Sequence, residues 1–449
     1  MDIANLIAGF GGLAWTLAAF VVALSIIVAV HEYGHYIVGR WTGIDAEVFS
    51  IGFGPVLFAR TDRRGTRWQL AALPFGGYVK FVGDANAASV GASEAEMIHL
   101  PPERRGRTMQ AAPLWARAAT VAAGPAFNLV LSALIFAGVS LFEGRPAEPL
   151  TVGAVRALPA GPQELREGDV VRAVGGLRLP QEGEAEAEAA LDLSQIPPAA
   201  SVPWTVEREG REVTIPGPHP RPPIVLAVQP QSAALAADLR PGDVIVAVDG
   251  APTLAFEEVR EAVEASGGAP LRLDVWRGGE AFETTLAPRR VDVPTQSGFE
   301  TRWLLGITGG LAVEPATVRA GPVEAIRFGA AQTAFIVESS LRGMWSMLTG
   351  AISSCNLSGP IGIAQVSGTV AAQGAQSFVW FIAVLSTAVG LLNLFPIPVL
   401  DGGHLVFHAW EAVTGRAPSD RALRVLMGAG LAILLSLMAF ALFNDVVCP

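Results

Sequence analysis

Four stretches of this chain stay apolar long enough to cross a bilayer: about residues 13–39, 114–142, 377–400 and 422–443. They predict four transmembrane helices. The first runs from Leu13 to Val30 without a charge. Only Asp2 precedes it as a charged residue, and His31, Glu32 and Tyr33 follow where a cleavage site would lie, so it reads as a retained span and not a signal peptide. The third stretch contains Pro396 and Pro398, which predict a break near its end.

Between the first two spans the period changes. Residues 44–82 hold short β-type runs around an Arg/Gly turn (Thr61 to Thr66), with paired glycines and several apolar residues. The pattern fits a hairpin dipping into the bilayer or a simple cytoplasmic β-loop. From 148 to 291 the chain repeats itself. Leu165–Gly176 (LREGDVVRAVGG) is matched by Leu239–Gly250 (LRPGDVIVAVDG), and Trp204–Ile215 by Leu271–Leu286. Each copy has a Gly-Asp turn, a β run, a helix-like stretch and a hairpin, which predicts two α+β modules over 148–220 and 221–291. The helix-like stretches are Glu182–Leu193 and Phe256–Ala265, and the Pro-rich segment Pro216–Pro223 joins the modules. Residues 321–350 have apolar positions at helical spacing around Arg327, Glu338 and Arg342, so this helix lies on the membrane face or packs on the protein.

The predicted organisation is a first transmembrane helix (1–43), the β-loop (44–82), a cytoplasmic loop (83–113) and a second transmembrane helix (114–142). The two modules follow, then an amphipathic region (292–375), a third transmembrane segment (376–412) and a fourth helix with the C-terminus (413–449). Composition agrees: 51% of residues are hydrophobic and 16% charged, too apolar for an ordinary soluble protein. A formal net charge of −10 argues against a nucleic-acid surface. Arginines between spans one and two, and Arg416 and Arg421 between spans three and four, place both loops in the cytoplasm. Both termini and the modules are then outside. Cys355 and Cys448 form neither a disulfide framework nor a CxxC site; they read as two ordinary thiols, with a pair between them as the alternative.

The candidate chemistry begins where the first span ends. His31 and His35 stand at i and i+4 on one helix face, where both imidazoles can bind one Zn2+, and Glu32 beside them can accept a proton from water. Such groups at membrane depth are costly unless they are functional or partnered. A catalytic zinc usually takes a third protein ligand. The best candidate is Asp401, after the broken third span, with Gly402 and Gly403 allowing close backbone approach. Asp401 could instead cap the following helix, and His404 and His408 are rival ligands. His99 and His219 lie in polar loops and read as surface residues. Asn393, on the same broken segment, could hold a substrate backbone or serve helix packing.

These features together resemble the site-2 protease family of zinc metalloproteases. HEYGH in the first span is followed by SIGFGP (Ser50–Pro55), PFGGYVKF (Pro74–Phe81), AGPAFN (Ala123–Asn128), SGPIGIA (Ser358–Ala364) and NLFPIPVLDG (Asn393–Gly402), over nearly the whole chain. The resemblance implies a monomeric, multi-pass protein of a bacterial inner membrane that cuts single-span membrane proteins. Its implied substrates are anti-sigma-factor-type proteins and signal-peptide remnants already cut once by another protease. It implies His31, His35 and Asp401 as zinc ligands, Glu32 as general base and Asn393 as a substrate contact. Residues 44–82 would be a membrane-reentrant β-loop pairing with an unwound substrate strand, with Gly52, Phe53, Gly54, Pro396 and Pro398 at the substrate. The repeats would be circularly permuted PDZ-like domains acting as an extracytoplasmic size filter. Two departures bear on peptide binding by the modules: Asp238 stands where the family tends to have Gly, and the first module is shortened around Pro159–Asp169.

Overall fold

The computed structural model describes residues 3–84, 102–159, 164–179, 193–295 and 298–448. The chain divides into two compact units. One comprises Met1–Val139, Pro322–Trp345 and Ser354–Pro449; the other comprises Ser140–Gly321 and Ser346–Ser353.

The first unit is built on helices. Helix α1 (Ile3–Trp41) carries HEYGH near its end, and α2 is Leu114–Glu143. After the second unit come α4 (Pro322–Leu348), α5 (Pro360–Ala372), α6 (Ala375–Asn393), α7 (Asp401–Thr414) and α8 (Asp420–Val447). Among the described residues four segments are long and apolar enough to cross a membrane: Gly12–Trp41, Leu114–Glu143, Ala375–Asn393 and Arg421–Val447. The protein is thus a polytopic membrane protein with β-rich regions. The third span stops at Asn393, earlier than the apolar run does, because Pro396 and Pro398 lie in the loop between α6 and α7.

Small residues let these helices approach closely. A Cβ added at Gly34 of α1 would stand 2.6 Å from the Ala123 carbonyl oxygen of α2. Between α2 and α6 the contact is polar and buried: Ser132 Oγ donates to the Ala383 carbonyl at 2.6 Å, and Ser386 Oγ to the Asn128 carbonyl at 2.9 Å. In α4 the buried residues are Ala325, Gly329 and Thr333, and Gly329 meets Ala133 of α2. The amphipathic helix therefore packs on the protein through its small-residue face.

Strands β1 (Ala46–Thr61) and β2 (Arg67–Phe81) are long and bent. Residues 48–51 lie between two parts of β2, opposite 67–70 on one side and 77–80 on the other, while 56–61 pair with 67–71. Bends at Gly52–Pro55 and Pro74–Gly77 make this folding-back possible. Gly52 has φ +89°, and a Cβ there would also stand 2.8 Å from the Leu73 carbonyl oxygen.

The second unit holds the repeat. Strand β3 (Arg145–Pro146) leads to the first module, with β4 (Val152–Val155), β5 (Val170–Val174), β6 (Leu177–Arg178), β7 (Val202–Arg208) and β8 (Arg211–Gly217). The second has β9 (Val225–Val228), β10 (Val244–Val248), β11 (Ala251–Pro252), α3 (Phe256–Ala265), β12 (Leu271–Arg277) and β13 (Glu280–Leu286). Their sheets are equivalent, with orders β6-β5-β7-β8 and β11-β10-β12-β13. The first module's helix-like stretch Glu182–Leu193 falls mostly outside the described residues, as does His99.

The Gly-Asp turn is the physical basis of the repeat. Buried Asp169 accepts the Arg166 amide and pairs with Arg208; buried Asp243 accepts the Arg240 amide and pairs with Arg277. Each carboxylate ties the turn to a strand of the same sheet. Beyond the hairpin β14 (Arg289–Thr295) and β15 (Gly298–Leu304), strand β16 (Ile307–Gly309) returns to β9, and β17 (Val313–Pro315) to β4. Strand β18 (Thr317–Val318) closes on β3. The first module is thus completed by chain that follows the second. Sequence boundaries at 220 and 291 miss this because two- and three-residue strands carry no readable period.

Two sequence expectations are corrected. Cys355 and Cys448 form a disulfide, with Cα atoms 5.6 Å apart across a separation of 93 residues. His219 is buried, not on the surface, with its ring nitrogens 3.1 Å from the carbonyls of Ile196 and Arg221. The disulfide and the His219–Ile196 contact join residues that local sequence context cannot bring together.

Candidate metal centre

The HEYGH motif continues α1, so His31 and His35 are one helical turn apart on one face. Their Nε2 atoms are 3.2 Å apart. Oδ2 of Asp401, at the first turn of α7, is 3.1 Å from Nε2 of His31 and 3.4 Å from Nε2 of His35. Three donors from residues 370 positions apart thus form a near-equilateral triangle. Four ligands around Zn2+ at bond lengths of about 2.0–2.1 Å are roughly 3.3 Å from one another, so the triangle fits one face of such a site. Asp401 Oδ2 is buried and has no hydrogen-bond partner, which leaves its charge available to a cation.

The sequence left Asp401 between a ligand role and a helix cap. The cap position of α7 belongs to Leu400, and the carboxylate turns to the histidines instead. Gly402 and Gly403 make that placement possible: Cβ atoms there would stand 2.3 Å from the carbonyl oxygens of Leu394 and Ile397. The backbone of α7 therefore starts directly against the preceding loop. His404 and His408 do not join the three-donor cluster, although both line the adjoining cavity.

Helix α2 completes the surroundings. Nδ1 of His35 donates to the Thr120 carbonyl at 2.8 Å, which leaves Nε2 as the lone-pair nitrogen. Nδ1 of His31 faces the side-chain amide of Asn128 at 3.2 Å. Gly124 lies against both rings; a Cβ there would stand 2.3 Å from Nε2 of His35 and 2.8 Å from that of His31. Thr120, Gly124 and Asn128 were not singled out as site residues from sequence, although Gly124 and Asn128 belong to the AGPAFN segment. Their spacing of four along α2 is the only local signal.

A cavity of about 570 Å3 adjoins the triad. Glu32 and Asn393 line it, as do Phe53, Gly77, Tyr78, Val79 and Phe81 from the β-loop. Asn393 gives one amide hydrogen to the Val389 carbonyl of its own helix at 3.0 Å, so its second amide hydrogen and its oxygen are left for the cavity. Gly52 and Gly54 shape the bend that carries Phe53, whose ring stacks on Tyr78. Pro396 is in the α6–α7 loop, and Pro398 packs against Gly430 of α8. The latter two do not line the cavity among the described residues.

Comparison with known proteins defines the class and then the family. A protein of Agrobacterium fabrum (strain C58) bearing the name zinc metalloprotease is 35% identical over 446 residues, covering 98% of each chain. One of Rhizobium meliloti (strain 1021) with the same name is 36% identical over 438 residues, 97% of each. A Salmonella typhi protein named Regulator of sigma E protease is 34% identical over 458 residues, 96% of this chain and 98% of its own. This protein is a zinc metalloprotease. The model of peptidase family M50 matches residues 19–437, and the chain belongs to that family, the site-2 proteases.

Proposed function

We propose that this enzyme is an intramembrane endopeptidase that hydrolyses peptide bonds within the transmembrane segments of single-span proteins. The observation that carries this reading is the convergence of His31, His35 and Asp401 from two apolar segments, beside Glu32 and a β-strand edge in one cavity. His31, His35 and Asp401 would hold Zn2+, which when bound supplies Lewis acidity that polarises the scissile carbonyl and makes water at the site more acidic. Glu32 takes the proton from the attacking water and returns it to the departing amine. Asn393 offers its free amide hydrogen to substrate backbone or to the developing oxyanion.

A peptide bond in a helix is shielded, so the substrate must be unwound and extended before attack. Residues 77–81 pair with β1 on one side only, and their open edge lines the cavity. A substrate strand added there lies next to Glu32. Gly52, Phe53 and Gly54 shape the far end of that edge, and Pro396 and Pro398 hold the Asn393 segment opposite it. The reading extends to substrates already shortened by another protease, such as an anti-sigma factor or a signal-peptide remnant. The two modules, alike in sheet order, would be PDZ-like domains that act as an extracytoplasmic filter.

Placement in a bacterial inner membrane with both termini outside is supported by the arginines of the 40–107 loop and by the disulfide. Cys448 follows the outer end of α8, and a disulfide persists in an oxidising compartment. The test is Glu32→Gln in the full chain. Cleavage of a reporter membrane segment should fall by at least a thousandfold with zinc content unchanged; cleavage at the wild-type rate would overturn the proposal.

A further inference from the structure

The β1–β2 turn carries a concentration of arginine that the proposed chemistry does not use. Arg60, Arg63, Arg64 and Arg67 are all exposed, and none enters an ion pair among the described residues. Arg104 joins them: its guanidinium lies 3.3 Å from where a Cβ on Gly65 would stand. The one acid within the turn is already used. Asp62 accepts the backbone amides of Arg64 and Thr66 and the indole NH of Trp68. Burial works to raise the Asp62 carboxyl, but these bonds and the nearby Arg40 hold it below the usual carboxylate range. It stays an anion that orders the turn without offering a free site to a cation.

Contacts with α1 give the depth of each end of this hairpin. At the turn, Thr66 Oγ1 donates to the Ala46 carbonyl at 2.9 Å, next to Asp45, which pairs with Arg40 and Arg107. The turn is therefore level with the polar end of α1. At the other end, a Cβ on Gly77 would meet Val28 and Glu32 at 2.9 and 3.0 Å. Those residues lie 9 to 13 positions before Trp41, or about 13–20 Å further along the helix axis. The hairpin residues at and near that end are apolar and exposed: Phe53 43%, Leu57 69%, Phe58 66%, Leu70 45% and Leu73 50%. From Val56 to Arg60 the strand covers about 13 Å, close to half the hydrocarbon thickness of a bilayer.

We propose that this arginine turn binds the phosphate headgroups of anionic phospholipids in the cytoplasmic leaflet and so sets the depth of the edge strand beside the metal centre. The proposal rests on the membrane placement given above. Charge complementarity selects the ligand: five guanidiniums with no free acid among them favour a headgroup of net negative charge over a zwitterionic one. The apolar residues about one leaflet's hydrocarbon depth away require that the phosphate belong to a lipid. Counting loop charges for orientation needs only their number; here they stand on a folded turn at one level.

The test uses full-length protein in detergent, in a Glu32→Gln background, so that binding is read without proteolysis. Native mass spectrometry would follow retention of added phosphatidylglycerol and phosphatidylcholine. The expected result is at least tenfold preference for phosphatidylglycerol, lost when Arg60, Arg63, Arg64 and Arg67 are all changed to Gln and kept when they are changed to Lys. Millimolar inorganic phosphate should not displace the lipid. Equal retention of the two lipids, equal retention by the Gln variant, or displacement by phosphate would each overturn the proposal. Zinc content of the Gln variant reports its folding, and a double Arg63→Gln, Arg64→Gln variant should show an intermediate loss. A spin label at Leu57→Cys separates the two claims. A label at hydrocarbon depth without lipid preference removes only the headgroup site; a label in water removes the membrane placement and the site with it.

Discussion

Gly124 lies against His35 so closely that a Cβ on the glycine would stand 2.3 Å from Nε2 of the ring. No Cβ tolerates such a contact, and here the atom that would have to move is a candidate metal donor. The backbone of α2 is fixed nearby by the Thr120 carbonyl, which holds Nδ1 of the same ring at 2.8 Å. Gly124→Ala should therefore cost at least a hundredfold in reporter cleavage and lower the bound zinc, while the α2–α6 contacts persist. Zinc content by atomic emission and cleavage assays on the same preparation check both. A variant with full zinc and full activity would show that the helix can yield.

Asn128 should act on the metal through His31. A histidine that offers Nε2 to a cation carries its proton on Nδ1, so the atom facing Nδ1 has to be an acceptor. Half a turn of the Asn128 amide about Cβ–Cγ presents its oxygen there, and this also gives a partner to Oδ1, which is otherwise buried without one. Asn128→Ala should weaken zinc binding about 10–100-fold. Asn128→Asp, which keeps the acceptor, should weaken it less. Competition with a chelator of known affinity measures both.

Much of the membrane part could be read from sequence because long apolar runs and HEYGH are local signals. The four spans came from run length alone, and His31 and His35 from helical spacing. Asp401 was harder. Its role depends on a contact across 370 residues, and only the isolated carboxylate after a proline-broken span pointed to it. Asn128 and Gly124 gave less still: each looks like an ordinary small or polar residue of a span until α2 is laid against α1. The return of β17 to β4 and the burial of His219 have the same cause, since both depend on pairings distant in sequence. The repeat itself was legible because Asp169 and Asp243 each serve a local turn and so recur with it.

Those two aspartates should be strong points of the modules. Asp243 is 1% exposed and accepts two hydrogen bonds from Arg277 at 2.6 and 2.8 Å. Asp243→Ala leaves that guanidinium, which is 30% exposed, with only Asp238 beside it and should destabilise the second module by about 2 kcal/mol. For Asp169, burial works to raise the carboxyl, but bonds from Arg208 and the Arg166 amide hold it below the usual carboxylate range. A folded-state value below that of the unfolded chain means the stabilisation is complete above the ordinary aspartate pKa of about 3.9. It is lost as pH falls through the lower folded-state value. Hydrogen exchange of β5 and β7 in the full-length protein checks this: wild type and Asp169→Ala should differ at pH 7 and converge as the acid limit is reached.

The disulfide should hold the C-terminal end of the last span in place. Cys448 terminates α8, and the two residues before Val446 reinforce the same junction. Asn444 donates to the Ser354 carbonyl at 2.7 Å, and the Asp445 carboxylate accepts the amides of Gly359, Ile361 and Gly362 at the start of α5. Negative charge at that helix N-terminus is favourable in its own right. Helix α5 in turn packs on α1, where Gly368 meets Thr16. Both cysteines should resist maleimide in membranes until a reductant is added, and each should then take one label. Cys355→Ser with Cys448→Ser should leave the metal site intact but make the C-terminal end of α8 more accessible to protease. Because Asp445 makes three bonds of its own there, Asp445→Ala added to the double serine variant should increase that accessibility further, by about tenfold if each amide bond contributes roughly 0.5 kcal/mol. Limited proteolysis of the wild type and the two variants side by side measures the order, and equal cleavage in all three would show that the junction is held by packing alone.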